Sequence, residues 1–166
     1  MKRSLQELSN RDYDVLVIGG GIYGACTAWD ATLRGLSVAL VEKSDFGAAT
    51  SANSLKIIHG GLRYLQDGNL KLVRSMTKER ATWLRIAPHL VHPLPFLMPT
   101  YRHFSRSKLA LGAALAINDS IGFDRNRHVD PQHRLPNGRT LSRAAALDKM
   151  HWIDPEATGG AMWYDA

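Results

Sequence analysis

Three consecutive glycines directly after a short apolar segment restrict the fold of this chain more than any other feature. Residues 13–18 read Tyr-Asp-Val-Leu-Val-Ile, and Gly19, Gly20 and Gly21 follow at once. A β-branched apolar run that stops at glycines predicts a buried strand entering a tight turn. The chain beyond this turn is therefore expected to leave the strand sharply, as it does in a strand-helix unit.

The residues after the glycines predict a helix and then a second strand. Apolar residues recur there at spacings of three and four, namely Ile22, Ala25, Ala28, Trp29 and Leu33. This period is typical of an amphipathic helix, and Gly35 is placed to end it. Residues 37–42 are rich in Val and Leu and predict a strand. Together these elements make a βαβ unit, whose strands are parallel and whose crossover is right-handed.

The glycines also match a nucleotide-binding fingerprint. Gly19, Gly21 and Gly24 form G-x-G-x-x-G between a predicted strand and a predicted helix. The first glycine permits the turn, the second lets the backbone approach a pyrophosphate, and the third lets helix and strand pack closely. Amides at the helix N-terminus, such as that of Ile22, would face the phosphates. Glu42 ends the second strand, where a carboxylate can bind ribose hydroxyls and repels a 2′-phosphate, so FAD or NAD fits and NADP does not.

The net positive charge of the chain favours anionic binding partners but does not identify one of them. The chain has 21 Lys and Arg against 15 Asp and Glu, a formal net charge of +6. Such a balance favours phosphates, acidic lipid surfaces or nucleic acid. No nucleic-acid motif accompanies the basic residues, so we predict no nucleic-acid partner. The basic, apolar-faced segment at residues 102–117 is interpreted either as a helix that covers the core or as a contact with an anionic membrane surface.

Cysteine use and hydropathy indicate a cytoplasmic protein. A peripheral position on the inner face of the membrane is compatible with this location. Cys26 is the single cysteine, so no intramolecular disulfide is possible, as is usual in a reducing compartment. The longest clean apolar run, residues 109–117, is shorter than the roughly 20 residues that span a bilayer. The histidines lack metal-ligand spacing, and no metal site is predicted.

A second cluster, at residues 50–65, combines hydroxyls, cations and glycines. It reads Thr-Ser-Ala-Asn-Ser-Leu-Lys-Ile-Ile-His-Gly-Gly-Leu-Arg-Tyr-Leu. With the glycine fingerprint, this segment resembles the FAD-dependent glycerol-3-phosphate dehydrogenases. That family shows Gly-Gly-Gly-Ile-x-Gly followed by Thr-Ser-x-x-Ser-x-Lys-x-x-His-Gly-Gly-Leu-Arg-Tyr-Leu, and both motifs are present here. The likeness continues to residues 160–165 and covers nearly the whole chain.

The resemblance implies an α/β fold, namely a Rossmann-like FAD-binding domain of the two-dinucleotide-binding flavoprotein type, incomplete in this chain. Residues 1–12 are expected to form a polar N-terminal tail. Residues 13–87 would hold the FAD-binding βαβ core and the flavin-contact segment, and residues 88–166 the rest of the FAD domain and the start of a truncated substrate domain. Because two such domains need a much longer chain, we expect a fragment or a truncated gene product.

Periodicity and prolines predict the remaining elements. The pattern favours an amphipathic helix at 70–87, a proline-broken edge strand or connector at 92–99, a helix at 105–121, a polar loop at 124–139, a short helix at 142–150 and a strand at 160–164.

The activity implied by the resemblance is oxidation of sn-glycerol 3-phosphate to dihydroxyacetone phosphate. Electrons would pass to a quinone or another acceptor, and to dioxygen in oxidase relatives. Flavin would accept a hydride from C2 of the substrate while a base takes the hydroxyl proton. Two alternatives stay open. One is an FAD-dependent amine or amino-acid oxidase, expected to lack the full His-Gly-Gly-Leu-Arg-Tyr run, and the other is a catalytically silent FAD-binding fragment.

Residue roles follow from the same resemblance. The catalytic candidates are Lys56, a cation near the flavin pyrimidine edge, His59, a flavin contact or base, and Arg63, which reaches the substrate phosphate. Tyr64 joins Arg63 in substrate binding. The expected cofactor-binding residues are Gly19, Gly21, Ile22, Gly24, Glu42, Lys43, Thr50, Ser51, Ser54, Lys56, His59, Gly60, Gly61 and Leu62. Each candidate also has a purely structural alternative. Lys56 would be an ordinary surface lysine, Arg63 a member of an ion pair, and His59 a residue that holds its turn. The hydroxyls of Thr50, Ser51 and Ser54 would only stabilise turns.

Overall fold

A computed structural model describes residues 4–166, which form two compact units. The first unit ends at Lys56, and the second spans Ile57–Ala166. The helices are α1 (Leu5–Ser9), α2 (Ile22–Leu33), α3 (Leu70–Ile86), α4 (Lys108–Ile121) and α5 (Arg143–Lys149). The strands are β1 (Val15–Ile18), β2 (Val38–Val41), β3 (Leu94–Thr100), β4 (Arg139–Ser142) and β5 (Gly159–Asp165). Helix α1 lies inside the expected polar tail, and the expected functional boundary after residue 87 stays a prediction.

The first unit contains the predicted βαβ arrangement. Strands β1 and β2 are parallel, with Val15 opposite Val38 and Ile18 opposite Val41. Helix α2 connects them and is followed by Gly35 at φ +83°, a left-handed conformation that favours glycine after a helix. The sequence therefore located all three elements and the residue that ends the helix.

One face of β1 is open to solvent. Val17 is buried and lies under α2, 3.4 Å from the Cβ position of Gly24. Leu16 and Ile18 point to the other face and are 57% and 82% exposed. The apolar stripe expected on α2 is also largely exposed, since Trp29 and Leu33 are 51% and 70% exposed. The one buried residue of α2, Ala31, lies outside that stripe. Among the described residues this sheet has two strands, so the Rossmann-like unit is incomplete, as predicted.

The second unit is built on a three-stranded antiparallel sheet in the order β3-β5-β4. Strand β3 contains Pro95 and Pro99 and occupies an edge, as the prolines predicted, because proline cannot donate to a sheet ladder. The central strand β5 is mostly buried. Strand β4 was not predicted, since residues 124–139 read as a loop and the four-residue strand has a weak pattern.

Helix α3 contributes one face to the hydrophobic core of the second unit. Its buried residues are Val73, Thr77, Arg80, Ala81 and Leu84, which confirms the helical stripe expected from the sequence. Leu84 packs in a cluster with Val129, Leu135 and Ala166. A second cluster surrounds Ala146 and Met162 on the sheet. Most of the hydrophobic core therefore lies in residues 57–166.

The loop after α4 is fixed from inside by a buried arginine. Arg125 donates to the side-chain oxygen of Asn137 at 2.6 Å and to the carbonyl oxygen of Gly122 at 3.2 Å. It also pairs with Asp119 at 3.1 Å. The expected polar loop is thus correct for most of residues 124–139, although its charges are partly buried rather than solvated.

Candidate functional site

Two positions in and after the turn that follows β1, Gly19 and Gly24, require glycine for steric reasons. Gly19 adopts φ +106°, which side-chain-bearing residues rarely adopt. A Cβ atom on Gly24 would lie 1.9 Å from the carbonyl oxygen of Gly19. Helix α2 can therefore approach β1 this closely only with glycine at position 24, the role expected for the third fingerprint glycine.

Glu42 connects β2 to this turn. Its carboxylate accepts hydrogen bonds from the amide of Gly20 at 2.7 Å and from the amide of Ser44 at 2.9 Å. Both bonds lower the pKa of Glu42 below its usual range, and the bond from Gly20 has the larger effect. The side chain is therefore ionised. Each carboxylate oxygen can accept more than one hydrogen bond, so the two amide bonds leave capacity for ribose hydroxyls.

Ser51, on a loop distant in sequence, caps the N-terminus of α2. The N-cap residue Gly21 has no side chain to cap the helix, and the hydroxyl of Ser51 accepts a hydrogen bond from the amide of Ile22 at 2.9 Å. The amide of Gly47 donates to the carbonyl oxygen of Gly20 at 2.9 Å and anchors the same loop. The structure thus brings together the fingerprint glycines, Glu42 and Ser51 within one unit.

The other predicted contacts of the first unit are exposed. Lys43, Thr50, Ser54 and Lys56 lie on the loops that follow β2. The hydroxyl of Ser54 donates to the carbonyl oxygen of Ser51 at 3.2 Å and accepts from the amide of Lys56 at 3.3 Å, so it shapes the turn. Lys56 has φ 54°, a left-handed conformation that costs a lysine about 1 kcal/mol or more.

In the second unit, a buried carboxylate holds the turn at His59 and Gly60. Asp165 accepts a hydrogen bond from the amide of Gly60 at 2.8 Å, and its other oxygen lies 3.1 Å from Nδ1 of His59. The guanidinium of Arg80 pairs with the same carboxylate and donates to the carbonyl oxygen of Tyr164 at 3.0 Å. Burial lowers the pKa of Arg80, while the charge of Asp165 acts in the opposite direction.

Both glycines of this turn pack against α3. A Cβ atom on Gly60 would lie 2.2 Å from the nearest guanidinium nitrogen of Arg80. Gly61 has φ +83°, and its Cβ position is 3.1 Å from the sulfur of Met76. The hydroxyl of Thr77 donates to the carbonyl oxygen of Gly60 at 3.3 Å. Gly60 and Gly61, expected at the cofactor, therefore also have a packing role.

Arg63 and Tyr64 follow on a short 3-10 helix, Leu62–Leu65. Both side chains are exposed, whereas Leu62 is half-buried. Within residues 4–166, Arg63 forms no ion pair, so the structural alternative for this arginine is not observed there. Its guanidinium is available to bind an anion.

The sequence did not predict Asp165 and Arg80 as site residues. Both are distant in sequence from the His-Gly-Gly turn that they hold. One signal was present, because Arg80 lies on the apolar stripe of α3, where a charge needs a buried partner. The partner itself could be found only from the tertiary structure.

Other features of the described residues involve none of these groups. An open cleft of about 540 Å³ is lined by Tyr101, His103, Ser105, Arg106 and Asp154, none of which was predicted as a site residue. In the part of the chain that the structure describes, no three His, Cys, Asp or Glu side chains are placed to bind a metal ion. No helix there combines the length and hydropathy needed to cross a bilayer.

Comparison with known proteins identifies the family. The sequence profile of the family described as FAD dependent oxidoreductase matches residues 14–166. The chain belongs to the FAD-dependent oxidoreductases. The glycine turn fits this assignment, because Gly24 lets α2 pack closely against β1 and the N-cap Gly21 places no side chain at the helix start, where a pyrophosphate would bind. The predicted FAD-binding fold and the cofactor, FAD, are therefore confirmed.

Relatives of this FAD-dependent oxidoreductase include three glycerol-3-phosphate dehydrogenases. The protein from Synechocystis sp. is 40% identical over 98% of this chain and 28% of its own length. The mitochondrial protein from Bos taurus is 39% identical over 92% of this chain and 21% of its own length. The aerobic enzyme from Staphylococcus haemolyticus is 36% identical over 96% of this chain and 27% of its own length. The chain thus spans less than a third of these relatives, and the resemblance to their family is confirmed.

A solved structure of another flavoprotein supports the fold. Dithionite-reduced L-alpha-glycerophosphate oxidase from Mycoplasma pneumoniae, with FAD bound, superimposes with a TM-score of 0.57 at 22% identity. The match covers 91% of this oxidoreductase chain and 37% of the oxidase. It supports the α/β FAD-binding architecture.

Proposed function

We propose that this FAD-dependent oxidoreductase oxidises sn-glycerol 3-phosphate to dihydroxyacetone phosphate. The observation that carries the proposal is the exposed Arg63, which is free of ion pairs within residues 4–166 and follows a turn bound by Asp165, the partner of Arg80. A planar guanidinium binds a phosphate with two parallel hydrogen bonds, which suits a phosphorylated polyol better than an amine. The names of the relatives support the same substrate.

In this proposal the chain's own residues bind, orient and accept a proton. Arg63 holds the phosphate with Tyr64 beside it, and His59 is the base for the C2 hydroxyl. When bound, FAD supplies the hydride acceptor. The fingerprint glycines and Ser51 hold its pyrophosphate at the start of α2, Glu42 its ribose, and Lys56 provides a cation for the ring. The remaining predicted contacts, Lys43, Thr50, Ser54, Gly60, Gly61 and Leu62, line the cofactor.

The test is anaerobic addition of sn-glycerol 3-phosphate to the flavin-loaded protein, followed by absorbance. Bleaching of the oxidised-flavin band by this substrate, but not by glycerol or by amino acids, is the expected result. Arg63→Met should raise the substrate concentration for half-bleaching at least tenfold, whereas Arg127→Met, an exposed arginine on the loop after α4, should not change it. Bleaching by amines instead would replace the proposal with the oxidase alternative, and a yellow protein that no substrate bleaches would support a silent fragment.

We further propose that the protein is cytoplasmic and contacts an anionic membrane face, where a quinone accepts the electrons. The support is a short exposed surface on the second unit, in which Arg102, Arg106 and Lys108 alternate with Phe104 and Leu109. The two apolar side chains are 85% and 83% exposed. Basic residues beside exposed apolar ones are typical of segments that lie on acidic lipid.

Vesicle co-sedimentation tests this second proposal independently of the substrate. Binding should increase with the fraction of anionic lipid and decrease in Phe104→Ser/Leu109→Ser. Phe123→Ser, which changes an aromatic residue of 79% exposure outside this surface, should bind as the parent does. Binding that does not depend on the fraction of anionic lipid would overturn the proposed contact with an anionic membrane face. Reduction of dioxygen in preference to a soluble quinone analogue would overturn the quinone acceptor.

A further inference from the structure

Asp165 is placed to control the tautomer of His59. Its carboxylate accepts a hydrogen bond from the Gly60 amide on one oxygen and faces Nδ1 of His59 with the other, at 3.1 Å. We propose that Asp165 is a positioning residue that fixes neutral His59 with its proton on Nδ1. The chemical purpose of this arrangement rests on the proposed function, because it prepares His59 to act as the base.

The hydrogen-bond capacity of the site determines which nitrogen carries the proton. Arg80 is always charged and is paired with Asp165 where both side chains are more than nine-tenths buried, so the carboxylate is the counter-ion of a buried cation. An ionised carboxylate only accepts hydrogen bonds. Nδ1 of His59 must therefore donate to it, and in a neutral imidazole the lone pair is then on Nε2.

Nε2 remains available for chemistry. The His59 side chain is 55% exposed, and across residues 4–166 its hydrogen bond is made through Nδ1. FAD, when bound, would supply the acceptor for the hydride that leaves C2 with its electron pair. The hydroxyl proton goes to Nε2, and the C–O single bond becomes a carbonyl. His59 becomes an imidazolium, whose charge the adjacent carboxylate of Asp165 stabilises.

A purely structural role for Asp165 makes a different prediction. The turn is also held by the amide of Gly60, the hydroxyl of Thr77 and the guanidinium of Arg80. If these contacts were the whole purpose of the carboxylate, a folded variant that lost the Nδ1–H tautomer of His59 would oxidise the substrate as fast as the parent protein does. The proton position on His59, measured together with kcat in a folded variant, therefore distinguishes a positioning residue from a packing residue.

The experiment is nitrogen-15 NMR of the imidazole rings in the flavin-loaded protein. In the parent protein, neutral His59 should carry its proton on Nδ1. In Asp165→Asn the single amide oxygen is claimed by Gly60 and Arg80, so the amide NH₂ faces His59 and donates to Nδ1, which moves the proton to Nε2. The control Asp154→Asn removes the carboxylate that accepts from the Tyr101 hydroxyl and should leave His59 unchanged.

A second variant guards against loss of folding. Asp165→Asn leaves Arg80 without its counter-ion, whereas Arg80→Met/Asp165→Asn removes the buried cation together with the buried anion. The double variant should fold, retain flavin and still lack the Nδ1–H tautomer. Its kcat for sn-glycerol 3-phosphate should fall about 10- to 100-fold while KM changes little, because Arg63 still binds the phosphate.

The outcomes separate the inference from the proposed function. A parent protein whose neutral His59 carries its proton on Nε2, or a folded double variant that keeps the proton on Nδ1, would overturn the role of Asp165. Failure of sn-glycerol 3-phosphate to bleach the flavin would overturn the proposed function, and the tautomer measurement would be unaffected.

Discussion

The guanidinium of Arg80 and the carboxylate of Asp165 form a buried ion pair between the middle of α3 and the end of β5. Their side chains are 3% and 7% exposed, and they are 85 residues apart in sequence. The same carboxylate holds the amide of Gly60. A helix, a strand end and the His-Gly-Gly turn are thus joined at one charged group.

Arg80→Met should destabilise the second unit strongly. The substitution leaves Asp165 as a buried charge without its partner, which typically costs about 3 to 5 kcal/mol. Arg85→Met, on an exposed position of the same helix, should cost less than about 1 kcal/mol. Denaturant unfolding followed by circular dichroism measures both. Equal losses for the two variants would show that the buried pair does not stabilise the fold.

Gly24→Ala should weaken FAD binding. Its Cβ would lie 1.9 Å from the carbonyl oxygen of Gly19, so α2 must move away from β1 and the phosphate-binding turn must open. We expect at least a tenfold higher dissociation constant, about 1.4 kcal/mol, by quenching of flavin fluorescence. Ala25→Ser changes the neighbouring, exposed position and should bind FAD normally. Unchanged affinity in Gly24→Ala would contradict the role of this contact.

Ser51→Ala should destabilise the start of α2. The hydroxyl of Ser51 is the side-chain group that accepts from the Ile22 amide, and loss of a helix cap costs about 0.5 to 2 kcal/mol. Hydrogen exchange at Ile22 should accelerate. Thr50→Ala alters the adjacent exposed hydroxyl and serves as the control. If both variants exchange alike, the cap does not protect the helix.

Lys56→Gly should not destabilise the first unit, although it removes a charged side chain. Residue 56 has φ 54°, which glycine adopts without strain and a β-branched residue adopts only at high cost. Lys56→Val should therefore lower the melting temperature relative to Lys56→Gly. The reverse order in thermal unfolding would show that Lys56 does not keep this backbone conformation.

Asp124 should contribute to stability above acidic pH. Arg74, which contacts Asp124 at 2.5 and 2.7 Å, lowers the pKa of this carboxyl to about 2. Because the folded-state pKa lies below the unfolded value, the stabilisation is present at neutral pH and is lost as the pH falls from about 5 toward 2. Asp124→Asn should flatten this part of the stability profile, whereas the exposed Asp148→Asn should not. Parallel profiles for parent and Asp124→Asn would refute the contribution.

Local signals in the sequence located most helices and strands. The glycine triplet after an apolar run placed β1, its turn and α2, because a G-x-G-x-x-G turn depends on backbone conformation and close packing that few other residues allow. Pro95 and Pro99 placed β3 at a sheet edge, since proline lacks the amide that an interior strand needs. The four residues of β4 were missed because their pairing with β5 is a tertiary contact.

The sequence by itself determined the family and the chemistry available: a dinucleotide turn, a carboxylate at Glu42, and a histidine and arginine in a glycine-rich segment. Only the tertiary structure decided how these groups are held. Glu42 binds the amide of Gly20, and Asp165 reaches His59 from the far end of the chain. The physical reason is that a buried charge must find a partner in space. Sequence spacing does not record which residue, tens of positions away, the fold brings to it.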